Sequence, residues 1–196
     1  MPRPVYPKEL QALLTPDGKK IKRGAVEMRA FTDTENNIYI NFCGLRGNNK
    51  WQGVKFIASL VIGRTDKNIE FADELVTALI KDNPNKKITL VGHSMGASFA
   101  SYCGIKNNLD TINFNGLGLS THHIKKLKNQ GHQNTRTIHI NTNKDWLSQK
   151  MHNFFLIQPG ERYFIESFSG HAVVTENQDY LAEELCTISN RMENVQ

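Results

Sequence analysis

The 196-residue chain is short of cysteine, short of tryptophan and without any long apolar run. Its three cysteines, Cys43, Cys103 and Cys186, are an odd number with no pair at metal-ligand spacing. That speaks against a disulfide framework and for a reducing compartment. No stretch is long and apolar enough to span a bilayer. Met1-Pro2-Arg3-Pro4-Val5-Tyr6-Pro7 contains no apolar run that would serve as a signal peptide. The sequence therefore reads as cytoplasmic, or exported by a route that leaves no such signal. Clustered His, Asp and Glu ligands are lacking, so a metal mechanism is not expected. There is neither a Cys/His finger nor an aromatic-laced basic motif, which excludes the common nucleic-acid modules. What remains is 39% hydrophobic and 22% charged, enough apolar surface for one core in a single domain. The net charge of +5 suits anionic partners (acidic lipid headgroups, nucleic acid or acidic proteins), beside the plainer reading of a solvated basic surface. Oligomeric state is not legible.

Four of the six prolines fall within residues 1–35, whose apolar clusters are short (Leu10, Leu13, Leu14). This segment reads as an N-terminal arm packed on the domain, with one short helix, and residues 36–196 as the domain itself. Ile38-Tyr39-Ile40-Asn41-Phe42 alternates like a strand and runs into the glycine-bounded loop Cys43-Gly44-Leu45-Arg46-Gly47. Residues 51–61 suit a helix with Val54, Ile57, Ala58 and Val61 on one side. Residues 68–82 have a clear helical stripe of Ala72, Leu75, Val76 and Leu79, ended by Asn83-Pro84. A strand at 87–91 leads to a helix reaching about Ile105. Further strands are expected at 111–119, breaking at Gly116 and Gly118, at 135–141 and at 163–165. Between them lie a short basic helix or loop at 122–129 and a short helix at 146–155. A last helix over 177–191 turns Leu181, Leu185 and Ile188 inward. Alternating strands and helices predict a mostly parallel central sheet covered by helices on both faces. Sites then form where the strand-to-helix loops gather at one edge.

One such junction is singular. Ile88-Thr89-Leu90-Val91-Gly92-His93-Ser94-Met95-Gly96-Ala97 is an apolar run ending in G-x-S-x-G, followed by the small residues Ala97, Ala100, Ser101 and Gly104. A tight strand-to-helix turn lifts a serine hydroxyl clear of a sheet, and flanking glycines let strand and helix approach. The competing structural reading is a glycine-rich turn with a helix-capping serine. A serine nucleophile needs a base, and the base an orienting acid, in the chain order Ser, Asp or Glu, His for this architecture. Asp145 follows the strand 135–141 and fits the acid, with a helix cap as its alternative role. Asp110 precedes its strand and should lie at the opposite edge; Asp179 follows the best histidine. His171, in the loop after the last strand, fits the base. Among the other histidines, His93 lies inside the elbow, His139 sits mid-strand, and His122, His123, His132 and His152 read as surface residues. An oxyanion needs two donors: the Met95 N–H at the start of the elbow helix, and the Leu45 N–H in the loop after strand 38–42.

Val91-Gly92-His93-Ser94-Met95-Gly96-Ala97 resembles the V-x-G-H-S-L/M-G-G/A elbow of small prokaryotic-type class 3 lipases, which are α/β-hydrolases. Phe42-Cys43-Gly44-Leu45 is similar to the F-R-G-T strand end that carries their oxyanion loop, with Cys43 in place of the arginine and Leu45 in place of the hydroxyl residue. A backbone donor survives those changes; an extra side-chain donor does not. Phe114-Asn115-Gly116-Leu117-Gly118-Leu119-Ser120 resembles the family's F-N-x-x-G-L-S strand end. Ile140-Asn141-Thr142-Asn143-Lys144-Asp145-Trp146 resembles the segment bearing its acid, and His171 corresponds to its late histidine. The resemblance covers about residues 37–190, by the order of these motifs. It implies hydrolysis of carboxylic esters, often lipids, without cofactors; some relatives are phospholipases delivered as bacterial effectors.

The acyl group itself is barely encoded. Trp51, Val54, Phe56, Ile57 and Leu60 suit an acyl wall, a mobile lid or plain core. Lys125, Lys126 and Lys128, beside His122 and His123, form a basic patch suited to an anionic membrane or to a solvated turn. Three functions compete: a lipase or phospholipase, a soluble esterase or protein thioesterase, and a non-catalytic interaction protein on a hydrolase fold.

Overall fold

In the computed structural model, residues 3–4, 6–16, 18–44, 50–64, 66–132, 136–147 and 156–166 are described. They form an eight-stranded sheet and five helices: β1 (Arg3–Pro4), α1 (Lys8–Gln11), β2 (Ile21–Arg23), β3 (Val26–Thr32), β4 (Ile38–Phe42), α2 (Lys50–Val61), α3 (Lys67–Asp82), β5 (Ile88–His93), α4 (Gly96–Asn107), β6 (Asp110–Phe114), α5 (Thr121–Asn129), β7 (Thr137–Thr142) and β8 (Glu161–Ile165). From β4 to β8 the strands are parallel and adjacent in chain order. Their carboxyl ends therefore share one edge. β3 pairs antiparallel with β4, and β1 and β2 pair with successive stretches of β3.

The segment expected as an arm thus contributes three strands to the sheet. α1 is its short helix, but Val26–Thr32 lies inside the sheet, with Val26, Met28 and Ala30 buried beside the core residues of β4. The strand expected at 111–119 stops at Phe114, where Asn115 turns the chain with a φ of 42°. Around 146–155, only Trp146 and Leu147 are described, as a helical turn; the last helix at 177–191, with Cys186, lies outside the described residues.

α3 begins where the Asp66 side chain accepts the Asn68 N–H at 2.7 Å, satisfying a donor the helix cannot pair internally. Its Ala72, Leu75, Val76 and Leu79 are all buried. α2 differs from its expected face. Phe56 and Leu60 are buried, while Val54 is 52% exposed and Ala58 is exposed too. Phe56 stacks on Phe99 of α4 with ring centroids 4.4 Å apart, and Phe99 meets Phe42 of β4 at 6.0 Å.

α4 is buried continuously from Gly96 to Ile105. Small residues make that possible by letting the helix lie close on the sheet: a Cβ at Gly104 would fall 2.1 Å from the Thr111 Oγ1 of β6. Cys103 is fully buried, and burial pushes its thiol pKa well up. On the other face of the sheet, Ile138, Ile140 and Ile165 form a second apolar cluster with Ile112, Phe114 and Tyr163. Among the described residues, no helix is long and apolar enough to cross a membrane.

Candidate active site

Ser94 occupies the junction between β5 and α4 with φ at 54°, in the left-handed region. A residue with a Cβ is held there at a cost of about 1–2 kcal/mol. The surroundings supply that hold. The Ser94 N–H donates to the Phe114 carbonyl at 3.1 Å, and the Ser94 carbonyl accepts from the N–H groups of Ala97 (3.2 Å) and Leu117 (2.9 Å). Gly92 and Gly96 leave room for the turn: a Cβ at Gly92 would stand 2.5 Å from Ala97 Cα, and one at Gly96 2.2 Å from the Phe42 carbonyl oxygen. Ser94 is 7% exposed. Met95, next in the chain, opens α4 in helical backbone geometry, at the positive end of the helix dipole.

The loop after β4 comes directly against this turn. A Cβ on Gly44 would lie 2.9 Å from Ser94 Cβ and 3.1 Å from His93 Nδ1. Any side chain at Gly44 would crowd the serine. Leu45 falls outside the described residues, and so does His171.

Asp145 is fully buried just past β7. Its N–H donates to the Thr142 carbonyl at 3.1 Å, and its Oδ1 accepts the Leu147 N–H at 3.1 Å. The turn carrying it is tied to the end of β6 by Asn115, whose N–H donates to the Ile140 carbonyl (3.0 Å) and whose Oδ1 accepts the Thr142 N–H (2.7 Å). Gln158 braces the same region: its Nε2 donates to the Gly116 carbonyl at 2.7 Å, and Asn141 Nδ2 donates to its Oε1 at 2.9 Å. Asn115 and Gln158 were not singled out from sequence. Asn115 had a signal, its place in the Phe114–Ser120 strand end; Gln158 had none. Asp110 opens β6 and sits at the opposite edge from Ser94.

The histidines divide differently from their sequence reading. His122 is exposed and His132 half-buried, as surface residues, and His139 is buried on β7. His123 is buried as well, contrary to expectation. Its Nδ1 lies 2.7 Å from Ser120 Oγ, and Ser120 caps α5. Burial lowers the His123 pKa, against a backbone hydrogen bond at Arg64 that raises it; His122 and Lys126 add to the lowering. A buried capping pair of this kind is a structural device. His152 lies outside the described residues. Among the described residues, no group of three or more His, Cys, Asp or Glu side chains could hold a metal ion.

No protein-family model matches the chain, and no curated protein does. Solved structures do. The chain is similar to a triacylglycerol lipase from Penicillium expansum at 16% identity and a TM-score of 0.53, covering 84% of this chain and 75% of that one. It is similar to a predicted CIB-like hydrolase from Thermoplasma acidophilum at 14% identity and a TM-score of 0.53, covering 97% and 99%. The Rhizomucor miehei lipase in its propeptide complex matches at 16% identity and a TM-score of 0.50, over 83% of this chain and 63% of its own, so less than two thirds of that lipase has a counterpart here. With its mostly parallel sheet and its strained serine turn, the chain has the fold of a lipase-like α/β-hydrolase.

Proposed function

We propose that this chain is a serine hydrolase that cleaves carboxylic esters of lipids through an acyl-enzyme intermediate. The observation that carries the reading is Ser94 itself, kept in left-handed backbone geometry at the end of a central parallel strand. Strain of that sort persists where surrounding structure maintains it, and it clusters at reactive sites. Asp145 supports the reading from two strands away. β5 and β7 are separated by β6, a span of about 10 Å at the usual strand spacing. A serine side chain, one imidazole and an aspartate side chain together bridge such a gap.

His171 is the proposed base. It follows the end of β8 by six residues, and β8 ends beside β7 at the same edge; six residues reach up to about 20 Å. In the first step His171 takes the Ser94 hydroxyl proton as Oγ attacks the ester carbonyl. Asp145 holds the imidazole in the right tautomer and stabilises the imidazolium. The N–H groups of Met95 and Leu45 receive the oxyanion. Collapse breaks the ester bond, and the alcohol leaves with the proton from His171. Water, deprotonated by the same imidazole, then releases the acid.

The test is fatty-acid release from mixed phospholipid vesicles beside hydrolysis of a soluble short-chain ester, for wild type and Ser94→Ala. Ser94-dependent release from vesicles supports the lipid hydrolase. Ser94-dependent cleavage of the soluble ester alone moves the assignment to an esterase or thioesterase. Activity that survives Ser94→Ala, or none on either substrate, overturns the proposal.

A further inference from the structure

The two features left unused by the chemistry, the outer face of α2 and the basic helix α5, meet on the surface. Along α2 and its following turn, Trp51 is 78% exposed, Val54 52% and Ile62 66%, with Ala58 exposed between them. Positions 51, 54, 58 and 62 follow helical spacing, so they form one outward stripe. This is the side opposite Phe56 and Leu60, which bury against α4. A stripe holding a tryptophan, a valine and an isoleucine is an unusual thing to leave in water.

α5 adjoins the end of that stripe. A Cβ at Gly63 would stand 2.7 Å from His122 Cβ, and His123 shares a backbone hydrogen bond with Arg64. α5 reads Thr-His-His-Ile-Lys-Lys-Leu-Lys-Asn with no acidic residue. Leu127 and His123 face inward, whereas His122, Lys125 and Lys128 are exposed and Lys126 is half-buried. Lys55 and Arg64 add exposed charge on the α2 side. Of the nearby carboxylates, Asp66 is engaged with Ser59 Oγ at 3.0 Å and with the start of α3, Asp73 pairs with Lys106, and Glu70 is exposed. The pairing is therefore apolar side chains for an acyl layer next to cations for headgroups.

We propose that the exposed stripe of α2 and the basic face of α5 together form a docking surface for an anionic lipid bilayer. The inference rests on the lipid-hydrolase reading for its purpose but not for its test. Phe56 connects α2 to Phe99, five residues beyond Ser94, and Gly44, which abuts Ser94, leads toward α2. A bilayer seated on this surface would lie beside the sheet edge that carries the serine. Apolar insertion and cationic attraction each give weak binding; combined, they give stable peripheral association with charge selectivity.

The experiment is co-sedimentation of Ser94→Ala protein with vesicles, which separates docking from hydrolysis. Pure phosphatidylcholine vesicles are compared with vesicles containing 30% phosphatidylglycerol, roughly the charge of an anionic leaflet. Binding is expected to the anionic vesicles only, and to fall steeply between about 0.1 and 0.5 M salt. Adding Lys125→Gln and Lys128→Gln should weaken partitioning about 30-fold, and Trp51→Ala roughly tenfold. Equal binding to both vesicle types, no binding to either, or binding indifferent to the two lysines overturns the docking surface. Soluble-ester hydrolysis by the lysine variant with Ser94 intact is expected to match wild type. Its absence in wild type would sink the hydrolase reading while leaving the sedimentation result to stand.

Discussion

His123 is the side chain whose environment departs furthest from what its position suggested. The octet around it is rich in lysine and histidine, and a sequence of that kind looks solvated. In the fold its ring is covered, edge-on to Tyr102 with centroids 6.1 Å apart, and its Nδ1 rests on the Ser120 hydroxyl. Desolvation lowers its pKa below the ordinary 6.5, with further lowering by His122 and Lys126. The unfolded chain then takes up a proton near that ordinary value while the folded chain does not. Stability is therefore lost as pH falls through the ordinary histidine range, until the folded pKa is passed. Urea midpoints at pH 7.5 and 5 should show this decline. In His123→Asn, which keeps a polar atom toward Ser120, the protein should be less stable at pH 7.5 but its decline toward pH 5 should be shallower. A decline of unchanged steepness would assign the pH dependence to other groups.

Among the elements, the β5–α4 unit is the most demanding. Three glycines let α4 lie on the sheet closer than any side chain allows, and at Gly96 the obstacles are all backbone: the Phe42 carbonyl at 2.2 Å and the Cys43 carbonyl oxygen at 2.7 Å from an added Cβ. Neither can rotate away, so Gly96→Ala must lift α4 off β4. A cost of about 3 kcal/mol is expected, a fall in melting temperature of roughly 6–12 °C for a chain of this length. Gly131→Ala is the control, since nothing lies within 4 Å of its Cβ and only its φ of 84° resists; about 1 kcal/mol is expected there. Equal losses in the two variants would mean that close approach is not what Gly96 provides. This unit was legible in sequence because its signal is local: an apolar strand, two glycines and a run of small residues. β3 was not, although Val26, Met28 and Ala30 alternate with Glu27, Arg29 and Phe31. It lies among polar runs and short apolar clusters, and the strand is defined by its antiparallel partner β4 rather than by its own composition. The outer face of α2 was misjudged for a related reason. Several of its faces carry apolar residues, and only the position of Phe99 decides which one is buried.

Across the whole molecule, the parallel order from β4 to β8 does what no local pattern can: it gathers residues about fifty positions apart onto one edge. Gly44, Ser94 and Asp145 each stood out in sequence through order and type. The brace behind Asp145 was less legible: Gln158 carries no sequence signal, and Asn115, although part of the Phe114–Ser120 strand end, acts on the backbone of a strand distant in the chain. This gathering yields a prediction that separates chemistry from support. In Asp145→Asn, the amide oxygen can still accept the Leu147 N–H now received by Oδ1, so melting should shift by only a few degrees. The orienting charge is lost, however, and an Asn can leave the imidazole in the wrong tautomer, so kcat on a soluble ester should fall by about 10⁴. Asp110→Asn is the matched control. Asp110 lies half-buried at the far end of β6, a strand length from Ser94, and its loss should leave kcat unchanged. A proportional fall of stability and rate in Asp145→Asn would make Asp145 a brace for the β7 turn and nothing more. An unchanged rate would do greater damage. The strand order leaves Asp110 too distant to take over, so the acid of the proposed triad would then be missing from every described position that the sequence offered for it.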